Sequence, residues 1–233
     1  MIAVGDSAQF STDWFGHNIP HWEKWLESLR GKAGLRVLEI GCFEGRSTQW
    51  LCHNILTSPD SSIDCLDFFT VDPVYGNYHQ RFRANTASWR GQIREFQGSS
   101  FDSLRSLVGP YDLVYIDGWH SAFGALADGV MSWPLLKVGG VMIFDDYLWV
   151  PPRLGSPPRP GFLQREWIRL TRRDWRMEGL KKQIESVKTE TVKLGVDGLL
   201  ATLDGYYDLL GVSNQLAIRK TRDFAQGQVG HDT

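Results

Sequence analysis

The chain has 233 residues, with 25 lysines and arginines against 27 aspartates and glutamates and a formal net charge of -2, enough for one α/β domain with a large core and a modest insertion. This balance, with a pI of about 6.3, gives no electrostatic reason to expect nucleic acid or an anionic membrane as partner. The sequence shows neither a basic segment leading into an apolar one nor an apolar run of roughly 18 residues, so we expect no signal peptide or membrane span and a cytoplasmic protein.

Residues 1–12 carry no periodic pattern and are expected to be mobile. Trp14, Phe15, Ile19, Trp22, Trp25, Leu26 and Leu29 then recur at helical spacing up to Gly31, and the DWFGHN turn at the start of this stretch is a candidate pocket wall. Leu35 to Ile40 reads as the first strand, followed by Gly41-Cys-Phe-Glu-Gly45 and a helix from Arg46 to about Leu56. A strand, a glycine-bearing turn and a helix start make a cradle in which free N–H groups meet a ligand. The dinucleotide pattern GxGxxG fails at Phe43, which disfavours a nicotinamide dehydrogenase. The phosphate loop GxxxxGK[ST] fails because Gly41 and Gly45 are too close and Arg46 replaces the lysine. The pattern left is ExGxxxG, with Glu39, Gly41 and Gly45.

Ile63 to Leu66 is the second strand and ends in Asp67, with Asp72 as a rival acid. Tyr78 to Trp89 reads as a helix and Gln92 to Gln97 as a third strand. The turn Gly98-Ser99-Ser100 comes next, with Ser100 a possible helix N-cap for Phe101 to Leu107. Cys42, Cys52 and Cys65 lack CxxC spacing and a partner His pair and are read as reduced thiols. The ten tryptophans are mostly core, although an aromatic-walled pocket is open to them.

The stretch from Tyr111 to Tyr147 reads as one βαβ unit. Leu113 to Ile116 runs into Asp117, and Val141 to Phe144 runs into Asp145 and Asp146. Between them Phe123, Leu126, Val130, Trp133 and Leu136 form an apolar stripe of helical period, stopped by Gly139-Gly140. Parallel strands would bring the three acids to one sheet edge, where open α/β sheets bind ligands. His120 follows Asp117 by one helical turn, and its ordinary pKa suits proton removal near neutrality. Residues 151–190 read as a proline-led helical insertion with an arginine-rich face, a lid or homodimer contact. Leu194 to Leu203 is a helix, and Tyr206 to Leu210 with Gln215 to Arg219 a closing antiparallel hairpin.

Taken in order, LEIGCFEGRSTQWL, SSIDCLDFF, QGSSFDSL, YDLVYIDGWH, LLKVGGVMIFDDYLW, KLGVDGLL and QLAIRK resemble class I S-adenosylmethionine-dependent methyltransferases, in particular a bacterial small-molecule group related to catechol-type and macrolide-sugar O-methyltransferases. The resemblance implies one domain over 1–233. Its fold would be a Rossmann-like, seven-stranded, mostly parallel sheet with helices on both faces, a terminal antiparallel hairpin and the 151–190 insertion. It implies S-adenosylmethionine held by Glu39, Gly41, Phe43, Gly45, Ser47, Asp67, Ser99, Ser100 and Asp117, with Asp67 on the ribose and the Ser99-Ser100 turn on the adenine. It also implies Mg²⁺ or another divalent cation on Asp117, Asp145 and Asp146, catalytic roles for Asp117 and His120, and Trp119 narrowing the acceptor pocket. The expected acceptor is the hydroxyl of a sugar, phenol or natural-product intermediate. Competing readings are a metal-independent enzyme using His120 as base and a non-catalytic cofactor-binding assembly partner.

Overall fold

The computed structural model describes residues 8–150 and 191–224. The expected insertion at 151–190, with its arginine-rich face and its lid or dimer role, lies outside the described residues. In chain order the elements are α1 (Ile19–Trp25), β1 (Arg36–Ile40), α2 (Arg46–Asn54), β2 (Ser62–Asp67), β3 (Val71–Asp72), β4 (Gly76–Asn77), α3 (Tyr78–Asn85), β5 (Ile93–Gln97), α4 (Ser100–Leu104), β6 (Tyr111–Ile116), α5 (Ala122–Ser132), β7 (Leu136–Phe144), α6 (Val192–Thr202), β8 (Tyr207–Val212) and β9 (Leu216–Lys220). Among the described residues one sheet has seven strands in the order β5-β2-β1-β6-β7-β9-β8. The pairs up to β6–β7 are parallel, while β9 runs antiparallel to both β7 and β8. The expected fold class is therefore the observed one, and a small β3–β4 hairpin is added to it.

The period-two alternation of the strands sorts the core into two layers. Leu113, Tyr115 and Ile143 pack with Trp22, Leu51 and Phe82 on one face. Val114, Ile116, Met142 and Phe144 pack with Ala125, Val196 and Leu199 on the other. Because both faces are covered, β6 is buried throughout, and its apolar run without polar alternation follows from that.

Three expectations need correction. The α5 stripe faces inward only in part: Trp133 and Leu136 are buried and Leu126 packs against the core, but Phe123 and Val130 are 61% and 52% exposed. The buried face is Gly124, Ala125, Asp128, Gly129 and Ser132, because α5 packs too closely on α6 for large side chains. A Cβ on Gly195 would lie 1.9 Å from the Ala122 carbonyl oxygen, and one on Gly129 would lie 2.5 Å from Leu199. The stretch 14–29 is broken into 3-10 turns around a short α1, with Pro20 in its first turn, so Trp14 lies off the helix and exposed. Residues 9–11 are tied down, Gln9 to Asn85 at 2.9 Å and Ser11 to Glu44 at 2.6 and 2.7 Å.

Candidate active site

The site is a consequence of strand register. Ile40 is level with Ile116, and Ile116 with Phe144, so Gly41, Asp117 and Asp145 leave adjacent strands at the same height. Backbone bonds continue the ladder past the strand ends: Asp117 N to Ile40 O at 2.8 Å, Asp145 N to Ile116 O at 2.9 Å and Gly41 N to Leu66 O at 2.8 Å. Gly41 has φ +85°, and a Cβ there would lie 1.9 Å from the Asp117 carbonyl oxygen. Only glycine allows the first turn to cross so close to the neighbouring strand.

Asp67 organises that turn. Its Oδ2 accepts from Cys42 N and Phe43 N at 2.8 and 2.9 Å, and its Oδ1 from Phe69 N and the Tyr78 hydroxyl, both at 2.9 Å. The bonds from Cys42 N and Phe43 N hold Phe43 at φ +46°, a conformation that costs a non-glycine residue energy, and Phe43 stacks on Trp14 with ring centroids 5.2 Å apart. The rival Asp72 instead accepts from Val74 N and Tyr75 N, closing a turn. Glu39 lies beneath the turn, fully buried, where it accepts from the Ser47 and Thr48 hydroxyls at the start of α2. Burial raises its pKa to about 7, while those hydroxyls pull it down. Ser47 and Gly45 are part of the same support, the latter backed against Phe82 and Thr86. Cys42, Cys52 and Cys65 are buried free thiols.

At the β6 and β7 ends the acids converge with His120. The Tyr115 hydroxyl lies 3.0 Å from Asp117 Oδ2 and also donates to Asp145 Oδ2. His120 Nε2 is 3.2 Å from Asp117 Oδ1 and 3.4 Å from Asp146 Oδ2. Asp117, His120 and Asp146 each offer a ligand atom within 4.8 Å of the others. Asp145 turns inward: Gln215 Nε2 donates to its Oδ2 at 2.9 Å and Asp146 N to its Oδ1 at 2.7 Å. Asp117, Asp145 and Asp146, the expected trio, all line the same cavity, and His120 joins Asp117 and Asp146 in the tightest group. Asp146 has φ +52°, a left-handed backbone that costs a non-glycine residue energy. Burial and then the charge of Asp145 push the Asp117 carboxyl upward. The hydrogen bond to Asp117 is the main cause raising His120 to about 9.

A cavity of about 1160 Å³ opens onto all of this. On the β2 and β5 side it is walled by Leu66, Asp67, Phe68, the turn Gly98-Ser99-Ser100 and Phe101; on the β6 and β7 side by Asp117, Trp119, His120, Asp145, Asp146 and Trp149. Asp13, Trp14 and His17 close it from the N-terminal turn, as the DWFGHN reading expects. Gly41 and Phe43 line it, whereas Glu39, Gly45 and Ser47 do not. Its size suits a nucleoside-sized group with a second small molecule beside it. Sequence reasoning missed Tyr115, Gln215 and Asn214, which hold the acids. It also missed Asp128, whose signal was an acid on a small-residue helix face.

Residues 38–147 match a family model described as a methyltransferase domain. An O-methyltransferase of Aspergillus hancockii, hkm8, is 29% identical over 131 residues, covering 54% of this chain and 48% of that protein. The chain thus spans about half the length of the curated relative it matches. An O-methyltransferase from Bacillus cereus, solved with S-adenosylhomocysteine, is similar at TM-score 0.53 and 18% identity, covering 91% of this chain and 84% of that one. MycE from the mycinamycin pathway, solved with Mg, S-adenosylhomocysteine and mycinamycin VI, is similar at TM-score 0.55 and 19% identity, covering 93% of this chain and 52% of that one. The structural likenesses share the fold, and the family-model match over residues 38–147 spans the strands from β1 to β7 whose ends build the cavity. Over residues 38–147, a little under half of its length, the chain is thus similar to a methyltransferase domain, and its fold is that of solved methyltransferases.

Proposed function

We propose that the protein transfers a methyl group from S-adenosylmethionine to a hydroxyl of a small molecule, with a divalent cation held by Asp117, His120 and Asp146. The observation that carries the reading is the convergence of those three side chains, one ligand atom each within 4.8 Å, on the wall of a cavity of about 1160 Å³. Asp117, Asp145 and Asp146 crowd one another there, and burial and the charge of Asp145 push the Asp117 carboxyl upward, a repulsion that a bound cation would relieve. The residues fit both groups. The close crossing at Gly41 leaves the turn open to a nucleoside, and two carboxylates with an imidazole are an N/O donor set for a divalent metal.

The reaction moves a methyl from sulfur to an acceptor oxygen as the O–H bond loses its proton. Bound metal would lower the pKa of the acceptor hydroxyl and orient it. Asp117, His120 and Asp146 would fix the acceptor side, the departing proton would pass to solvent at the cavity mouth, and Trp14, Trp119 and Trp149 line that mouth. Sugars, phenols and natural-product intermediates all present such a hydroxyl. MycE, solved with Mg and a macrolide, and the O-methyltransferase relative support the class of reaction. The test is Asp146→Ala assayed two ways: transfer to a panel of hydroxyl acceptors is lost, while S-adenosylhomocysteine affinity stays within about threefold, a factor worth well under 1 kcal/mol. Equal loss of both would refute the division between a cofactor side and an acceptor side.

A further inference from the structure

His17 takes no part in the arrangement above, yet it is an imidazole on the wall of the same cavity. The N-terminal turn that carries it is braced from several sides. Phe15 and Asn18 are buried, and Phe15 packs edge-on against Trp22. Asp13 Oδ1 accepts from Phe15 N at 3.2 Å and Gly16 N at 2.7 Å, and Asp13 Oδ2 accepts from Arg46 at 2.8 Å. A Cβ on Gly16 would lie 2.5 Å from Asp13 Oδ2, so glycine there lets the acid close the turn. Between the two buried anchors His17 is left exposed over the cavity.

Of the ionisable side chains on the acceptor side, the others are committed. Asp13 holds the turn, and Asp145 accepts from Gln215 and from Asp146 N. Asp117, His120 and Asp146 face one another, with His120 Nε2 turned to both acids. The His17 ring makes no hydrogen bond or ion pair among the described residues. It is still close enough to act on Asp146, whose carboxyl is raised by burial and by Asp145 and pulled back by His120, Asn214 and His17. A hydroxyl that loses its proton as it attacks needs a group to receive it, and an imidazole with a free ring nitrogen serves best near neutrality. Resting on the hydroxyl-transfer reading, we infer that His17 is the base of the reaction, taking the acceptor's proton and releasing it to solvent. The acceptor oxygen bonds to the methyl carbon as the carbon–sulfur bond breaks and leaves its electron pair on sulfur, so the sulfonium becomes a thioether. The O–H proton passes to a His17 ring nitrogen, and the exposed ring returns it to water. The two imidazoles of the cavity thus divide the work: His120 holds position and His17 moves the proton.

The experiment is His17→Ala in the full chain, assayed with S-adenosylmethionine and Mg²⁺ against a panel of phenols and sugars, with and without added imidazole. The variant's kcat should fall about 100-fold, within the range for losing a general base. Acceptor KM and S-adenosylhomocysteine affinity should stay within about threefold, the latter showing that the variant is folded. Free imidazole should restore the variant's rate at least about tenfold, in proportion to its concentration, and leave wild type unchanged. A kcat within about threefold of wild type, a loss confined to KM, or a loss that imidazole does not reverse would overturn the role of His17 while leaving transfer by wild type in place. No transfer by wild type to any acceptor would remove the hydroxyl-transfer reading itself.

Discussion

Gln215 Nε2 donates a 2.9 Å hydrogen bond to Asp145 Oδ2, and the amide is held in that sense because Trp22 Nε1 donates to Gln215 Oε1 at 2.7 Å. The indole can only donate, so the amide oxygen must face it and the amide nitrogen must face the acid. All three groups are buried. Asp145 is thereby fixed as an acceptor behind the metal-binding candidates, and the Tyr115 hydroxyl links it to Asp117.

Replacing this amide should therefore hurt both stability and chemistry. Gln215→Met leaves the buried Trp22 N–H without a partner and Asp145 Oδ2 with only the Tyr115 hydroxyl, and should cost about 1–3 kcal/mol in urea unfolding. In the folded fraction kcat should fall more than S-adenosylhomocysteine affinity does. A variant as stable and as active as wild type would mean that the network does not position Asp145.

Gly41→Ala should abolish cofactor binding. Its methyl would meet the Asp117 carbonyl oxygen at 1.9 Å from a backbone at φ +85°, so the turn or the β6 end must move. Thermal unfolding and S-adenosylhomocysteine titration check this together; wild-type affinity in the variant would show that the turn is not the cradle.

Glu39 makes stability depend on pH with a defined sign. Its pKa rises from 4.5 to about 7 on folding because the carboxyl is buried. The unfolded chain therefore ionises first, and the group's favourable contribution, complete below pH 4.5, is lost as pH climbs through about 7. Glu39→Gln removes the loss. Between about pH 5 and pH 8 the stability difference should move in the variant's favour by about 3 kcal/mol. Parallel stability curves for the two proteins would contradict the burial argument.

The sheet was legible because parallel strands covered on both faces leave uninterrupted apolar runs, and Leu113 to Ile116 and Val141 to Phe144 are such runs. The convergence of Asp117, Asp145 and Asp146 on one edge follows from the same pattern, since each ends a strand. What escaped was whatever depends on tertiary approach. Phe123 and Val130 fit a helical stripe, but α5 turns its glycine face inward because α6 lies against it. The inward turn of Asp145 depends on Gln215 and Tyr115, one of them far along the chain. The tethering of residues 9–11 depends on Asn85 and Glu44, which no local pattern links to the N-terminal segment.

His120 should matter to metal affinity as well as rate. His120→Gln keeps polarity but loses the imidazole ligand, so the Mn²⁺ concentration for half-maximal transfer should rise about tenfold or more, a typical effect of weakening a metal's surroundings. If His120 acts only as a base, kcat falls and the metal dependence stays where it was.

The most direct measurement is an anomalous difference map from crystals grown with S-adenosylhomocysteine and Mn²⁺. The account predicts a metal peak bounded by Asp117, His120 and Asp146, with the nucleoside running from the Gly41 turn past Asp67 toward the Ser99-Ser100 turn. A nucleoside bound elsewhere, or saturating Mn²⁺ with no peak among those three side chains, would contradict it.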